Sequence, residues 1–218
     1  VIDRTGTIAW IGHPMAGMDE VVDGVINGTF DPAAAAAERA AWEEAQAKAA
    51  PLDAAIREAM QAGDWEAVYE NATAFVALHE RFSAYNSLRY RALVHTDETG
   101  EQAAKLGNEL VTETFHDDAN QLNGFAWWII APDSDVPEGR ADLELAVAAA
   151  QRANEVTEGA DVSILDTLAR ACFVQGDTDQ AVEIQEKAVA LAEADEEAPE
   201  AMIEQLRATL AEYKAAQG

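Results

Sequence analysis

Four residue pairs, each separated by four positions, carry the side chains best suited to chemistry in this chain. They are Asp53 with Arg57, Asn86 with Tyr90, Asn123 with Trp127, and Asp166 with Arg170. Residues four apart share one face of a helix, so each pair projects to one side. Asparagine offers a donor and an acceptor to a peptide backbone. Tyrosine and tryptophan supply the contact area found at interface hot spots. This is the chemistry of binding. The plainer role of the same residues is packing and helix-to-helix hydrogen bonding, with Asp53–Arg57 and Asp166–Arg170 as ion pairs worth about 0.2–0.5 kcal/mol.

The chain offers little for catalysis. Cys172 is the sole cysteine, so no intrachain disulfide can form. It falls beside Ala169 on the packed side of its helix, where a thiol is buried and inert. His79, His95 and His116 have no histidine partner at helical metal-ligand spacing, and His116-Asp117-Asp118 reads as a solvated turn. His13, closing a strand, reads as a loop hydrogen-bonder. The acidic pairs sit on solvated helices and single out no acid/base couple. No catalytic residue, metal site or cofactor is assigned.

Across 218 residues, 14 lysines and arginines face 41 acids, a net charge of −27. Nucleic acid is excluded as a partner, because phosphate binding needs a basic face. An anionic membrane surface is equally unfavourable. The longest apolar run, residues 125–131, is far shorter than the ~20 residues of a membrane span. The acidity suits solubility and favours an extracytoplasmic, periplasmic setting over a cytoplasmic one. Val1 in place of a methionine leads us to expect a processed or truncated piece.

Two architectures must position these residues. Residues 1–3 and 7–11 read as strands around Asp3-Arg4-Thr5-Gly6, with glycine at the positive φ of the turn. A helix follows over 18–28, where Met18, Val21, Val22, Val25 and Ile26 form one apolar stripe. The hairpin's free edge leaves backbone groups through which two copies could pair. Asp31-Pro32 starts a linking helix over 33–49, anchored by Trp42, and Pro51 opens the first of four helix pairs. The second helices carry Ala67…Ala74, Ala104…Val111, Ala146…Ala153 and Ala181…Ala188, recurring 37, 42 and 35 positions apart. Gly63-Asp64 and Gly176-Asp177 are equivalent turns, while Asp177/Gln180 and Thr99/Gln102 have capping-box spacing. A final helix from Pro199 to about residue 214 presents Ile203, Leu206, Leu210 and Tyr213 as a cap.

The first thirteen residues, Val1-Ile2-Asp3-Arg4-Thr5-Gly6-Thr7-Ile8-Ala9-Trp10-Ile11-Gly12-His13, resemble the closing hairpin of thioredoxin-like thiol–disulfide oxidoreductases, the branch with periplasmic and peroxiredoxin-related members. The resemblance implies that residues 1–30 are the incomplete tail of such a domain. It also implies that the Cys-x-x-Cys pair and cis-proline loop would lie upstream of Val1, so no catalytic residue carries over.

Residues 51–197 resemble a degenerate tetratricopeptide array, whose repeats are ~34 residues long. The best copy runs over 165–188, with Ala169, Gly176-Asp177, Ala181 and Ala188 at family positions. In the second copy Arg89 replaces the small residue. The expected fold is mainly α: a tetratricopeptide-like α-solenoid of antiparallel helix pairs, a linking helix over 31–50 and a cap over 198–218, behind a β-hairpin and helix left from a thioredoxin-like fold. In such arrays the first helices line a groove that receives an extended peptide or partner helix. Asp53, Asn86, Asn123 and Asp166 would form one ladder across it, and Arg57, Tyr90, Trp127 and Arg170 the next. The expected function is a non-catalytic protein-interaction module of a larger thioredoxin-like protein. The alternative is a thiol–disulfide oxidoreductase whose redox-active part lies outside this chain.

Overall fold

Alanine and glutamate, punctuated by glycine and aspartate, build a mainly helical backbone. The computed structural model describes residues 1–6, 8–9 and 18–217. Among the described residues there are ten α-helices and no strand: α1 (Met18–Asn27), α2 (Pro32–Ala62), α3 (Trp65–Val76), α4 (Asn86–Thr96), α5 (Glu101–Glu109), α6 (Ala119–Ile130), α7 (Leu143–Val156), α8 (Val162–Gln175), α9 (Thr178–Ala194) and α10 (Glu200–Ala216). None of the described helices is long and apolar enough to cross a membrane. The chain divides into two compact units, Val1–Leu52 and Asp53–Gly218.

In the first unit Asp3 organises a tight turn. Its carbonyl accepts from Gly6 N at 3.1 Å and its side chain from Thr5 N at 2.9 Å, with Gly6 at φ 85°. Ile2 and Ile8 then meet in a single antiparallel bridge. Most of the strand expected over 7–11, and His13 after it, lie outside the described residues. Helix α1 follows at the expected place, and the Arg4 guanidinium donates to the Ile26 carbonyl near its end at 3.1 Å.

Aspartate starts most of the later helices. Asp31, Asp64, Asp118, Asp142, Asp161 and Asp177 each accept backbone N–H groups of the first turn that lack helical partners. Gly63 and Gly176, at φ 70° and 100°, end the helices before the two equivalent turns. The expected box at Thr99 forms differently. Asp97 takes the amides of Gln102 and Ala103, at 2.7 and 3.2 Å, because its longer reach from a turn earlier spans the N-terminus of α5.

Two further expectations are corrected. The helix expected to stop near residue 49 continues as α2 through Pro51 to Ala62. Proline removes one backbone donor, yet the alanine-rich sequence on either side sustains the helix across it. The second helix of the second pair stops at Glu109 and widens into a π-helical turn, Leu110–Thr114. A 3-10 turn, Glu80–Tyr85, leads into α4.

Within Asp53–Gly218, Ala59 and Met60 of α2 pack against Trp65 and Val68 of α3 and Leu88 and Ala92 of α4. A larger core runs from α4 to α10. Alanines set its helix spacing: Ala126, Ala146, Ala150, Ala153, Ala169, Ala181 and Ala188 are fully enclosed. Helix α6 packs on α7 and α8, α7 on α8, α8 on α9, and α9 on α10. Ile203, Leu206 and Tyr213 bury the expected stripe of α10.

Candidate functional site

Sequence order places α6, α8 and α10 at alternate positions in the series, and together they wall a cleft of ≈270 Å³. Helix α6 contributes Asn123 and Trp127. Helix α8 contributes Val162, Ser163, Asp166 and Thr167, and α10 closes the site with Met202, Gln205 and Leu206. Three of the eight expected groove residues, Asn123, Trp127 and Asp166, therefore come together.

Trp127 is 41% exposed, while its neighbour Trp128 turns inward and donates from Nε1 to Asp135 Oδ1 at 2.9 Å. Adjacent residues on a helix point about 100° apart, so only one indole can face the cleft. Asp166 is half-buried. Its Oδ1 accepts from Gln185 Nε2 at 2.8 Å, and that fully enclosed amide also reaches the Leu206 carbonyl at 3.3 Å. Burial pushes the Asp166 carboxyl above its ordinary value, with the Gln185 hydrogen bond and the Arg170 charge pulling the other way. The Asn123 Oδ1 atom is buried and meets no donor among the described residues.

The remaining five positions lie elsewhere. Asp53 pairs with Arg57, its neighbour one turn on, and accepts the Tyr85 hydroxyl at 3.0 Å. Asn86 stays local: it donates to the Ser83 carbonyl at 2.9 Å and accepts from Arg89 at 2.7 Å. Arg89, where a small residue was expected to be replaced, also donates to Thr73 on α3 at 3.1 Å. Arg170 does not pair with Asp166; its guanidinium lies over the Phe173 ring, 6.0 Å from the centroid.

Tyr90 corrects the expected ladder most clearly. It is 2% exposed, with its ring edge-on to Phe125 at 4.8 Å and to Trp128 at 5.8 Å. Its face of α4 turns into the core because Leu93, Val94, Leu106 and Leu110 surround it there. The ring edge lines a separate, wider recess of ≈750 Å³ with Glu98, Arg140 and Asp142. Burial, reinforced by Asp142, raises its phenol well above the ordinary range.

Two features escaped the sequence reading. The first is a polar cluster around Asp135 in the α6–α7 loop. Arg91 donates to Asp135 Oδ2 from Nε at 2.9 Å, and His95 Nε2 lies 3.3 Å from the same oxygen. His95 stacks on Trp65 at 3.8 Å, and Arg91 covers the Trp65 ring at 5.2 Å. Burial pushes the Asp135 carboxyl up, but hydrogen bonds from Arg91 and Trp128 and the neighbouring charges bring it below its ordinary value. This cluster ties α4 to the loop through Arg91 and Trp128 on Asp135. The second is the part played by α10, which walls the cleft as well as capping the core. A signal existed, since Met202 lies 36 residues beyond Asp166, close to the repeat spacing.

Cys172 is fully enclosed, and its thiol donates to Gln180 Oε1 at 3.1 Å. Burial and the Asp177 charge push it up to about 11, far from a nucleophilic thiolate. His116 lies 2.9 Å from Asp117, and Arg152 donates to the His116 carbonyl at 2.8 Å and to Asp117 at 2.9 Å, so the expected solvated turn is clamped onto α7. Compared with protein-family models, curated proteins and solved structures, the chain matches none.

Proposed function

We propose that residues 53–218 form a tetratricopeptide-like array acting as a non-catalytic protein-interaction module, with an extended peptide running across α6, α8 and α10 and seating one side chain in the cleft between them. The observation that carries this reading is the convergence of Asn123, Trp127 and Asp166 on one cleft walled by three alternate helices. A peptide strand crossing such helices meets an amide, an indole and a carboxylate in succession. The amide serves its backbone and the indole its side chains. The partner is a protein, and the parent is a larger thioredoxin-like protein. For the parent, the support in this chain is the Asp3–Gly6 turn with its Ile2–Ile8 bridge.

The test is an array of extended peptides probed with the full chain and with Trp127→Ala. Peptides captured by the full chain should lose at least about tenfold in affinity with the variant, while its melting temperature falls by no more than about 2–4 °C. Equal capture by both proteins, or no capture by either, would overturn the reading. The alternative reading, a thiol–disulfide oxidoreductase, has only Cys172 to draw on within this chain, and that thiol is enclosed and protonated.

A further inference from the structure

Asp166 is an unusual wall for a cleft. Half-buried carboxylates are normally held by a cation or by several donors, because removing a charge from water is costly. Asp53 obeys this rule through Arg57 and Tyr85. Asp166 takes one hydrogen bond, from a neutral amide on Oδ1, and has no ion-pair partner among the described residues. Arg170, one turn away, packs over Phe173 instead. Among the described residues no lysine, arginine or histidine lines the cleft, and the Arg170 charge acts on Asp166 without forming an ion pair with it. Trp127, exposed beside it, offers an aromatic face of the kind that attracts cations.

Resting on the peptide-binding reading above, we propose that this cleft selects a basic side chain, an arginine or lysine of the bound peptide, through the Asp166 carboxylate and the Trp127 ring. The size agrees: ≈270 Å³ lies just below the ~300–1,000 Å³ of small-ligand sites, enough for one long side chain and too small for a peptide segment. Charge complementarity agrees as well. A chain of net charge −27 draws basic partners toward it, and the cleft supplies the local discrimination that a diffuse field lacks.

The experiment uses a fluorescein-labelled, end-capped alanine heptapeptide with one central arginine, and the same peptide with citrulline, which keeps the shape and removes the charge. Anisotropy titrations of the full chain, Asp166→Asn and Trp127→Ala are run at about 0.15 M salt, where the screening length is ~8 Å and distant surface charges contribute little. Asparagine keeps the oxygen that accepts from Gln185, so the Asp166→Asn cleft stays folded, and its melting temperature checks this. The arginine peptide should bind at least about tenfold tighter than citrulline, with that advantage lost in Asp166→Asn and binding weakened in Trp127→Ala. An undiminished arginine advantage in Asp166→Asn would overturn the proposal, because attraction would then come from the overall acidity. Equal binding of both peptides, still weakened by Trp127→Ala, would overturn basic selectivity while leaving the peptide groove standing. Failure of the arginine peptide to bind would also overturn it, and the array experiment then decides the groove separately.

Discussion

Gln185 Nε2 donates to Asp166 Oδ1 at 2.8 Å from a position with no solvent exposure. Because the same amide reaches the Leu206 carbonyl, one side chain of α9 holds α8 and α10 at the back of the cleft. Gln185→Leu should therefore destabilise the protein by about 1–3 kcal/mol, the cost of leaving buried polar groups without their partner. Chemical denaturation measures it, and an unchanged midpoint would show that the amide bears no such role.

Asp166 gives a pH signature of definite sign. Its carboxyl is raised by burial, so the folded state favours the protonated form, and stability is lost as pH rises from the ordinary carboxylate range through the folded value. Asp166→Asn lacks this loss. The variant should melt above the parent at pH 7, and the difference should vanish below about pH 4. A difference independent of pH would contradict the assignment.

Two aromatic truncations should separate core from cleft. Tyr90→Ala removes a ring that is 2% exposed and should cost about 3–5 kcal/mol. Trp127→Ala removes a ring that is 41% exposed and should cost about 1 kcal/mol or less. Thermal or denaturant unfolding reads both, and equal losses would mean that the two rings share one environment.

Gly107 in α5 has no room for a side chain. An added Cβ would press on Leu145 Cδ2 and come within 2.8 Å of Tyr90 Cε2, both in the buried core. Gly107→Ala should destabilise by about 1–3 kcal/mol, although alanine is the better helix former by about 1 kcal/mol. A stabilised variant would contradict this packing.

His95 supplies a second pH test. Burial holds its imidazole below the ordinary value, against the pull of Asp135. Its contribution is therefore complete above about pH 6.5 and is lost as pH falls toward the folded value. The stability of His95→Gln should fall less steeply over that interval, and identical slopes would remove His95 from the acid response.

The helical architecture was legible because its signals are local. Aspartate caps, glycine stops, alanines and apolar stripes at helical spacing act within one or two turns, and α1, α3, α8, α9 and α10 lie where those signals direct them. The errors came from interactions that sequence spacing cannot show. Whether Tyr90 or Trp127 faces a cleft depends on neighbours from other helices, and the tyrosine meets Phe125 and Trp128, 35 and 38 positions away. Asp135 escaped notice because its partners, Arg91 and His95, lie 44 and 40 positions earlier. Asp53-Arg57 and Asp166-Arg170 look equivalent in the sequence, yet only the first is an ion pair, and the Arg170 guanidinium lies over the Phe173 ring.

The most direct test of the groove is a backbone and indole ¹H–¹⁵N spectrum of the full chain, titrated with the arginine heptapeptide and then with its citrulline form. The Trp127 indole and the amides of Asn123, Ser163, Asp166, Met202 and Gln205 should shift, while those of Arg91, His95 and Asp135 stay still. Shifts centred on the Tyr90 recess, or scattered over the acidic surface without the Trp127 indole, would contradict it.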